Sequence, residues 1–186
     1  AEAVAHVLGD EDAVEIKWPN DVLIRRRKTS GILMESSAEG TRIAFAVLGI
    51  GVNLNVDRET FPGEFRALAT SLSSELGRPV DRIAFTRLLF ERLERALDLH
   101  ARGGFDAIRG RFESFFRMTG EAIGVEEIGG GRTDGIARGI APDGALEVEI
   151  TEGPRAGERI RVMAGDVTLS KSPRVPHDAP RTPDPA

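Results

Sequence analysis

Two of the chain's three lysines, its one tryptophan and all three of its asparagines fall between residues 17 and 55. Lys17, Trp18, Asn20, Asp21 and Lys28 stand in "EIKWPNDVLIRRRKTSGIL" (15–33), and Asn53 and Asn55 in "GIGVNLN" (49–55). Lysine is a compact, mobile point charge with three donors, whereas arginine is a rigid planar fork. In a chain with 25 basic residues, of which three are lysine, a lysine marks a position that requires a compact cation. Residues 15–34 carry Lys17, Arg25, Arg26, Arg27 and Lys28 against Glu15 and Asp21, a local excess of +3 within a net charge of −5. A basic island in an acidic chain suits a small anionic ligand better than a polynucleotide. Plainer alternatives stand beside each residue. By composition alone Lys28 and Arg25–Arg27 read as a solvated basic patch, while Trp18 reads as a core aromatic and Asp21 as a turn residue. A general-base aspartate needs a raised pKa and a partner.

Alternate residues of a strand share a face. Along 48–56 one face carries Leu48, Ile50, Val52, Leu54 and Val56 and is predicted to face the core. The other carries Gly49, Gly51, Asn53 and Asn55. Two alternate glycines weaken a strand and strip it of side chains. That cost makes sense where something flat lies against the backbone, with Asn53 further along supplying an amide donor and acceptor. A tight crossing or a bulge is the competing explanation.

The elements that must position these residues follow from periodicity and punctuation. "AEAVAHVL" reads as the end of a helix stopped by Gly9. "AVEIK" is a strand, "WPND" a turn, and "VLIRRRK" and "GILMESS" are strands around a turn at Thr29–Gly31. Residues 41–55 form a long strand, the spacing predicts an antiparallel meander, and 57–79 read as loop. A helix runs from an Asp81 cap to Gly103-Gly104. A second follows with Phe105, Ile108, Phe112, Phe115 and Phe116 on its buried stripe. Residues 121–170 hold five short strands cut by hairpin signals, which predicts a small barrel. The last 15 residues contain five prolines and read as disordered. The fold class is therefore α+β, divided into 1–118, 119–171 and a tail at 172–186. No cysteine, no long apolar run and no secretory pattern occur, which points to a cytoplasmic protein without membrane partners.

Taken together, "KWPND", then "K-x-x-G-I-L" with its lysine seven residues after Asp21, then a strand ending in "G-I-G-V-N" resemble the biotin protein ligases. The resemblance runs over about residues 1–170 and includes "FP…ATSL" at Phe61–Leu72. It implies a mixed or antiparallel sheet with flanking helices, the biotin/lipoate ligase catalytic fold, followed by a small Src-homology-3-like barrel. It implies ATP-dependent conversion of biotin to biotinyl-5′-adenylate, then transfer to a lysine of the biotin carboxyl carrier protein of acetyl-CoA carboxylase. Mg²⁺ accompanies the nucleotide, no protein metal site is expected, and a homodimer is left open. By the resemblance, Lys28 meets the biotin carboxylate and the α-phosphate, and Lys17, Asn20 and Asp21 line the nucleotide and metal side. Gly31, Ile32 and Leu33 hold the biotin ring, and Gly49, Gly51 and Asn53 form the floor under the adenylate. Trp18 packs under its turn, and Phe61 or Phe65 lies over the adenine.

The sequence departs from the family in two places. The family's Gly/Arg-rich loop, G-R-G-R-x-G-R, and the strands before it do not precede "KWPND", so the 186 residues alone are expected to be weakly active or inactive. Ser170 stands where some members carry arginine. Two rival readings follow. One is a truncated, non-catalytic remnant that binds biotin or its adenylate. The other is a nucleic-acid-binding barrel, which 121–170 disfavours with seven glutamates and no aromatic to stack on a base.

Overall fold

The computed structural model describes residues 1–39, 42–127 and 131–169. The proline-rich tail, Ser170 and the residues 128–130 of a predicted hairpin lie outside the described residues. The chain divides into two units, Ala1–Arg117 and a second that begins at Met118.

In the first unit, helix α1 (Glu2–Leu8) ends on Gly9, which takes the left-handed conformation that glycine adopts without penalty. Strands β1 (Val14–Lys17), β2 (Asp21–Ile24), β3 (Arg27–Glu39) and β4 (Arg42–Val52) form an antiparallel meander in that order. Val14, Val22 and Ile24 pack with Ala3, Val4 and Ala5 of α1 and with Leu72, Val80, Phe85 and Phe115 in one core. Full burial of each large side chain there contributes about 1.5–3 kcal/mol.

The turn expected at Thr29–Gly31 lies elsewhere. The β2–β3 hairpin turns at Arg25-Arg26, with φ of 47° and 67°, and residues 27–39 form one continuous strand. Positive φ costs a non-glycine residue about 1–2 kcal/mol. Three carboxylates offset it: Glu15 accepts from the Arg26 backbone N–H at 3.0 Å, and Arg25 pairs with Asp10 at 3.2 Å and Glu75 at 2.8 Å.

Strand β4 stops at Val52, short of the predicted Asn55. Leu48, expected in the core, is exposed, while Val52 and Leu54 pack against the core. The reason is topological. Strand β2 pairs only with residues 27–31 of β3, so the outer arms of β3 and β4 continue as a two-stranded ribbon with no sheet neighbour.

Residues 57–79 are more ordered than a loop. They contain a 3-10 turn (Arg58–Thr60) and helix α2 (Leu72–Leu76), capped by Ser71, whose hydroxyl accepts from the Ser74 N–H at 3.2 Å. Asn55 ties this region down in the manner of a peptide group. Its Nδ2 donates to Val80 O and its Oδ1 accepts from Val80 N–H, both at 2.8 Å. Asn55→Ala should therefore cost about 1–3 kcal/mol, the sum of two ordinary hydrogen bonds, as read by chemical denaturation. A loss below about 0.3 kcal/mol would contradict this role.

Helix α3 (Arg82–Gly103) begins on Asp81, whose carboxylate accepts from the Ile83 and Ala84 N–H groups, and stops at Gly104. Helix α4 (Asp106–Phe115) buries Phe115 and is followed by the buried Phe116.

The second unit is a five-stranded antiparallel sheet. Its strands are β5 (Ala122–Glu127), β6 (Arg132–Ile140), β7 (Leu146–Ile150), β8 (Arg159–Val162) and β9 (Gly165–Leu169), in the order β8-β7-β6-β5-β9. Ile123, Val125, Leu146, Val148, Val162 and Val167 form its buried face. Among the described residues the ladders do not join β8 to β9, so hydrogen bonding does not trace the closed barrel expected from the hairpin spacing. The sheet nevertheless curls. Only Met163 and Ala164 link its two edge strands, three Cα steps or at most about 11 Å. A flat five-stranded sheet would hold those edges about 19 Å apart. On its polar face Arg138 holds the Glu149 carboxyl below its ordinary range, and Arg161 does the same at Asp143. Among the described residues no helix is long and apolar enough to cross a membrane.

Candidate active site

The register of the meander places the singled-out residues in a row. Lys17 of β1 lies opposite Asp21 of β2, Asp21 opposite Gly31 of β3, and Gly31 opposite Gly51 of β4. Leu33 lies opposite Gly49 one step along. Directly opposed residues share a sheet face. Lys17, Asp21, Gly31, Leu33, Gly49 and Gly51 therefore lie on one surface.

Lys28 would not join them in a regular strand, because it stands three residues from Gly31. A bulge corrects this. The register shifts between Val22 and Leu23, so that Val22 faces Ser30 and Leu23 faces Lys28, leaving Thr29 as the extra residue. Such a bulge re-aims a side chain. Thr29 and Ser30 are both buried, which breaks the alternation, and Lys28 swings onto the face of Gly31. A Cβ on Gly31 would lie 3.2 Å from both Cε and Nζ of Lys28, so glycine is what lets the lysine lie flat there.

Asp21 sits between the two lysines. Its Oδ1 is 2.5 Å from Lys28 Nζ and its Oδ2 is 3.7 Å from Lys17 Nζ. Asp21 is 12 % exposed and Lys28 49 %. The shorter contact is an ion pair whose angles miss those of a hydrogen bond. Two lysines against one aspartate leave one net positive charge above a floor of glycines, with Lys28 half open to solvent.

That floor is a groove of about 520 Å³, lined by Asn20, Lys28, Gly31, Ile32, Leu33, Gly49, Ile50 and Gly51. Seven of these eight were singled out in the sequence. Asn20 fixes the groove's rim: its Nδ2 donates to Ile32 O at 2.8 Å, and Ile32 N–H donates to Asn20 O at 2.9 Å. Lys17 and Asp21 stand behind Lys28 rather than on the lining. Asn53 lies beyond the end of β4. Its backbone N–H donates to Thr29 O, and its Nδ2 donates to Thr70 O at 3.1 Å. Trp18 is buried at the turn, and Phe65 is exposed. Hollows of similar volume on α3 and among α1, α3 and α4 lack a glycine floor and a lysine.

The basic island is not a ligand surface as a whole. Arg25 and Arg27 pair with Glu75, Arg25 also with Asp10, and Arg26 with Glu15, so each guanidinium is already matched by a carboxylate. The three carboxylates that match this charge lie far off in sequence or on the preceding strand. Sequence reasoning missed Glu75, Leu68 and Thr70. The backbone of Lys28 is held between the last two, donating to Leu68 O at 2.7 Å and accepting from Thr70 N–H at 2.9 Å.

Comparison with known proteins bears on what this surface is. Residues 3–53, which contain the whole row, match the family model for the biotin/lipoate A/B protein ligase family. Residues 119–170 match that for the biotin protein ligase C terminal domain. The chain belongs to the biotin protein ligase family. It is 39% identical over 174 residues to the bifunctional ligase/repressor BirA of Bacillus subtilis, covering 90% of this chain and 51% of that protein. It is 36% identical over 163 residues to the biotin–[acetyl-CoA-carboxylase] ligase of Paracoccus denitrificans, covering 86% and 65%. The chain thus spans about half to two-thirds of the length of these ligases. Among solved structures, the biotin protein ligase of Aquifex aeolicus in complex with biotin and ATP superposes with a TM-score of 0.70 at 26% identity. That match covers 92% of this chain and 68% of that one. Its apo form gives 0.72 over 91% and 72%.

Proposed function

We propose that this chain supplies the adenylate-binding surface of a biotin protein ligase. The observation that carries the reading is the bulge-directed lysine, paired to Asp21 and lying along the glycine floor. In the first step a biotin carboxylate oxygen attacks the α-phosphorus of ATP. A C–O–P mixed anhydride forms, the bond to the β-phosphate breaks, and pyrophosphate leaves. A carboxylate and a phosphate repel each other. Lys28 offsets that repulsion and meets the charge that builds on the phosphoryl oxygens in the transition state. Asp21 and Lys17 hold the lysine in place. Gly31, Ile32 and Leu33 take the biotin ring, and Gly49 and Gly51 let the adenylate approach the backbone. Asn53 acts here by securing the Thr70 segment. In the second step an unprotonated lysine amine of the biotin carboxyl carrier protein attacks the acyl carbon. The amide forms and AMP leaves.

The residues present do not fit a resident magnesium ion. The groove lining contains no carboxylate, Asp21 is matched by two lysines, and no cluster of metal-binding side chains occurs among the described residues. Mg²⁺ therefore enters with the triphosphate. We assign 1–118 to the catalytic part and 119–171 to a Src-homology-3-like barrel, a reading supported by the short link between its edge strands. An ATP-consuming reaction on a carboxylase carrier suits the cytoplasm. The test is transfer. The full-length protein containing this chain should attach biotin to a carrier-domain lysine only when ATP is present. Tight binding of a biotinyl-adenylate analogue without any transfer would favour the alternative, a binding remnant.

A further inference from the structure

We infer that Glu75 is a positioning residue for adenylation, an assignment that rests on the ligase reading above. Glu75 lies on α2, outside the groove lining, and its side chain is 6 % exposed. Its Oε1 accepts from Arg27 Nη2 at 2.6 Å and from Thr70 Oγ1 at 2.5 Å, and its Oε2 accepts from Arg25 Nη1 at 2.8 Å. A carboxylate so removed from water persists only when charge and hydrogen bonds match it.

The three partners surround Lys28. Arg27 precedes it in the chain. Thr70 donates its N–H to Lys28 O, and its own carbonyl accepts from Asn53 Nδ2. Arg25 belongs to the strained turn that starts β3. Lys28 is thus fixed along the chain by Arg27 and across the ladder by Thr70, and both ties end on one carboxylate. Lys28 must reach the phosphate from a bulged strand, where alternation alone does not set its direction. A displacement near 1 Å is enough to cost about a hundredfold in a positioned reaction. Glu75 meets no ligand and acts through Lys28.

The test uses the full-length protein and single-turnover formation of biotinyl-adenylate. Glu75→Gln keeps an oxygen for Thr70 but removes the charge that holds two arginines. The rate constant should fall by about tenfold or more, with KM for biotin and for ATP within about twofold, because the groove floor is untouched. Arg27→Ala cuts the same tie from its more exposed end and should cost a similar factor. The double variant should be no more than about threefold slower than the slower single one, since both break one linkage. A merely structural role would lower the Tm while leaving the rate constant unchanged at 25 °C, or would let the two losses multiply. Either result overturns the assignment. If Glu75→Gln fails to fold, Arg27→Ala decides alone, and an unchanged rate constant overturns it. A wild-type protein that forms no adenylate would overturn the ligase reading and the assignment with it. Active wild type with unaffected variants would overturn the assignment alone.

Discussion

Replacing Lys28 with alanine in the full-length protein should slow biotinyl-adenylate formation by about 10²–10³-fold, the scale for losing one preorganised group that stabilises transition-state charge. The fold should survive. Lys28 is half exposed but Asp21 only 12 %, so the lost pair should cost about 1–3 kcal/mol, the scale for leaving a buried acceptor without its partner. Asp21 also keeps Lys17 as a partner at 3.7 Å. Lys28→Arg should rescue little. The guanidinium is a broad fork, and the lysine already lies 3.2 Å from where a Gly31 Cβ would be. The measurement is single-turnover adenylate formation beside a thermal melt. A rate loss below about threefold would remove Lys28 from the mechanism. A large loss accompanied by unfolding would make the pair structural.

Gly51→Val should separate a ligand floor from a packing requirement. A Cβ at position 51 meets only Gly31 O, at 3.8 Å, and one at 49 meets only Leu33 O, at 3.7 Å. The fold therefore has room for side chains at both positions, and valine is a better strand residue than glycine by up to about 1 kcal/mol. Stability should hold or rise. The isopropyl group would project into the groove, and affinity for a biotinyl-adenylate analogue should fall by about tenfold to a hundredfold, as measured by calorimetry. The same change at an idle strand edge would leave binding untouched, and wild-type affinity in Gly51→Val would refute the floor.

Much of this site could be read from the sequence, because strand periodicity carries it. Gly49 and Gly51 alternate, and the rare lysines fall near them. The resemblance to the ligases then assigned roles that composition alone left open. What escaped was non-local or lacked a propensity signal. Two arginines with positive φ form the β2–β3 turn, where asparagine and glycine would announce one. Gly31 drew the turn prediction, yet its lack of a side chain serves Lys28 instead. The bulge at Thr29 has no signature in residue type. The carboxylates that neutralise Arg25–Arg27 are Asp10, Glu15 and Glu75, and only pairing in space reveals that the arginines of the basic island are already matched. Helix α2 did leave a trace in Ser71 and Gly77, a cap and a stop around five residues. Leu48 was placed by alternation, which cannot tell that a strand outruns its neighbour.

The central claim is that Lys28, held by Asp21 over the glycine floor, joins a carboxylate to the α-phosphate of ATP. Exchange of labelled pyrophosphate into ATP by the full-length protein tests it most directly, because exchange requires that the mixed anhydride form reversibly. The account predicts exchange that depends on biotin and falls about a hundredfold or more in Lys28→Ala. Exchange that ignores biotin, or that survives in Lys28→Ala at the wild-type rate, would contradict it.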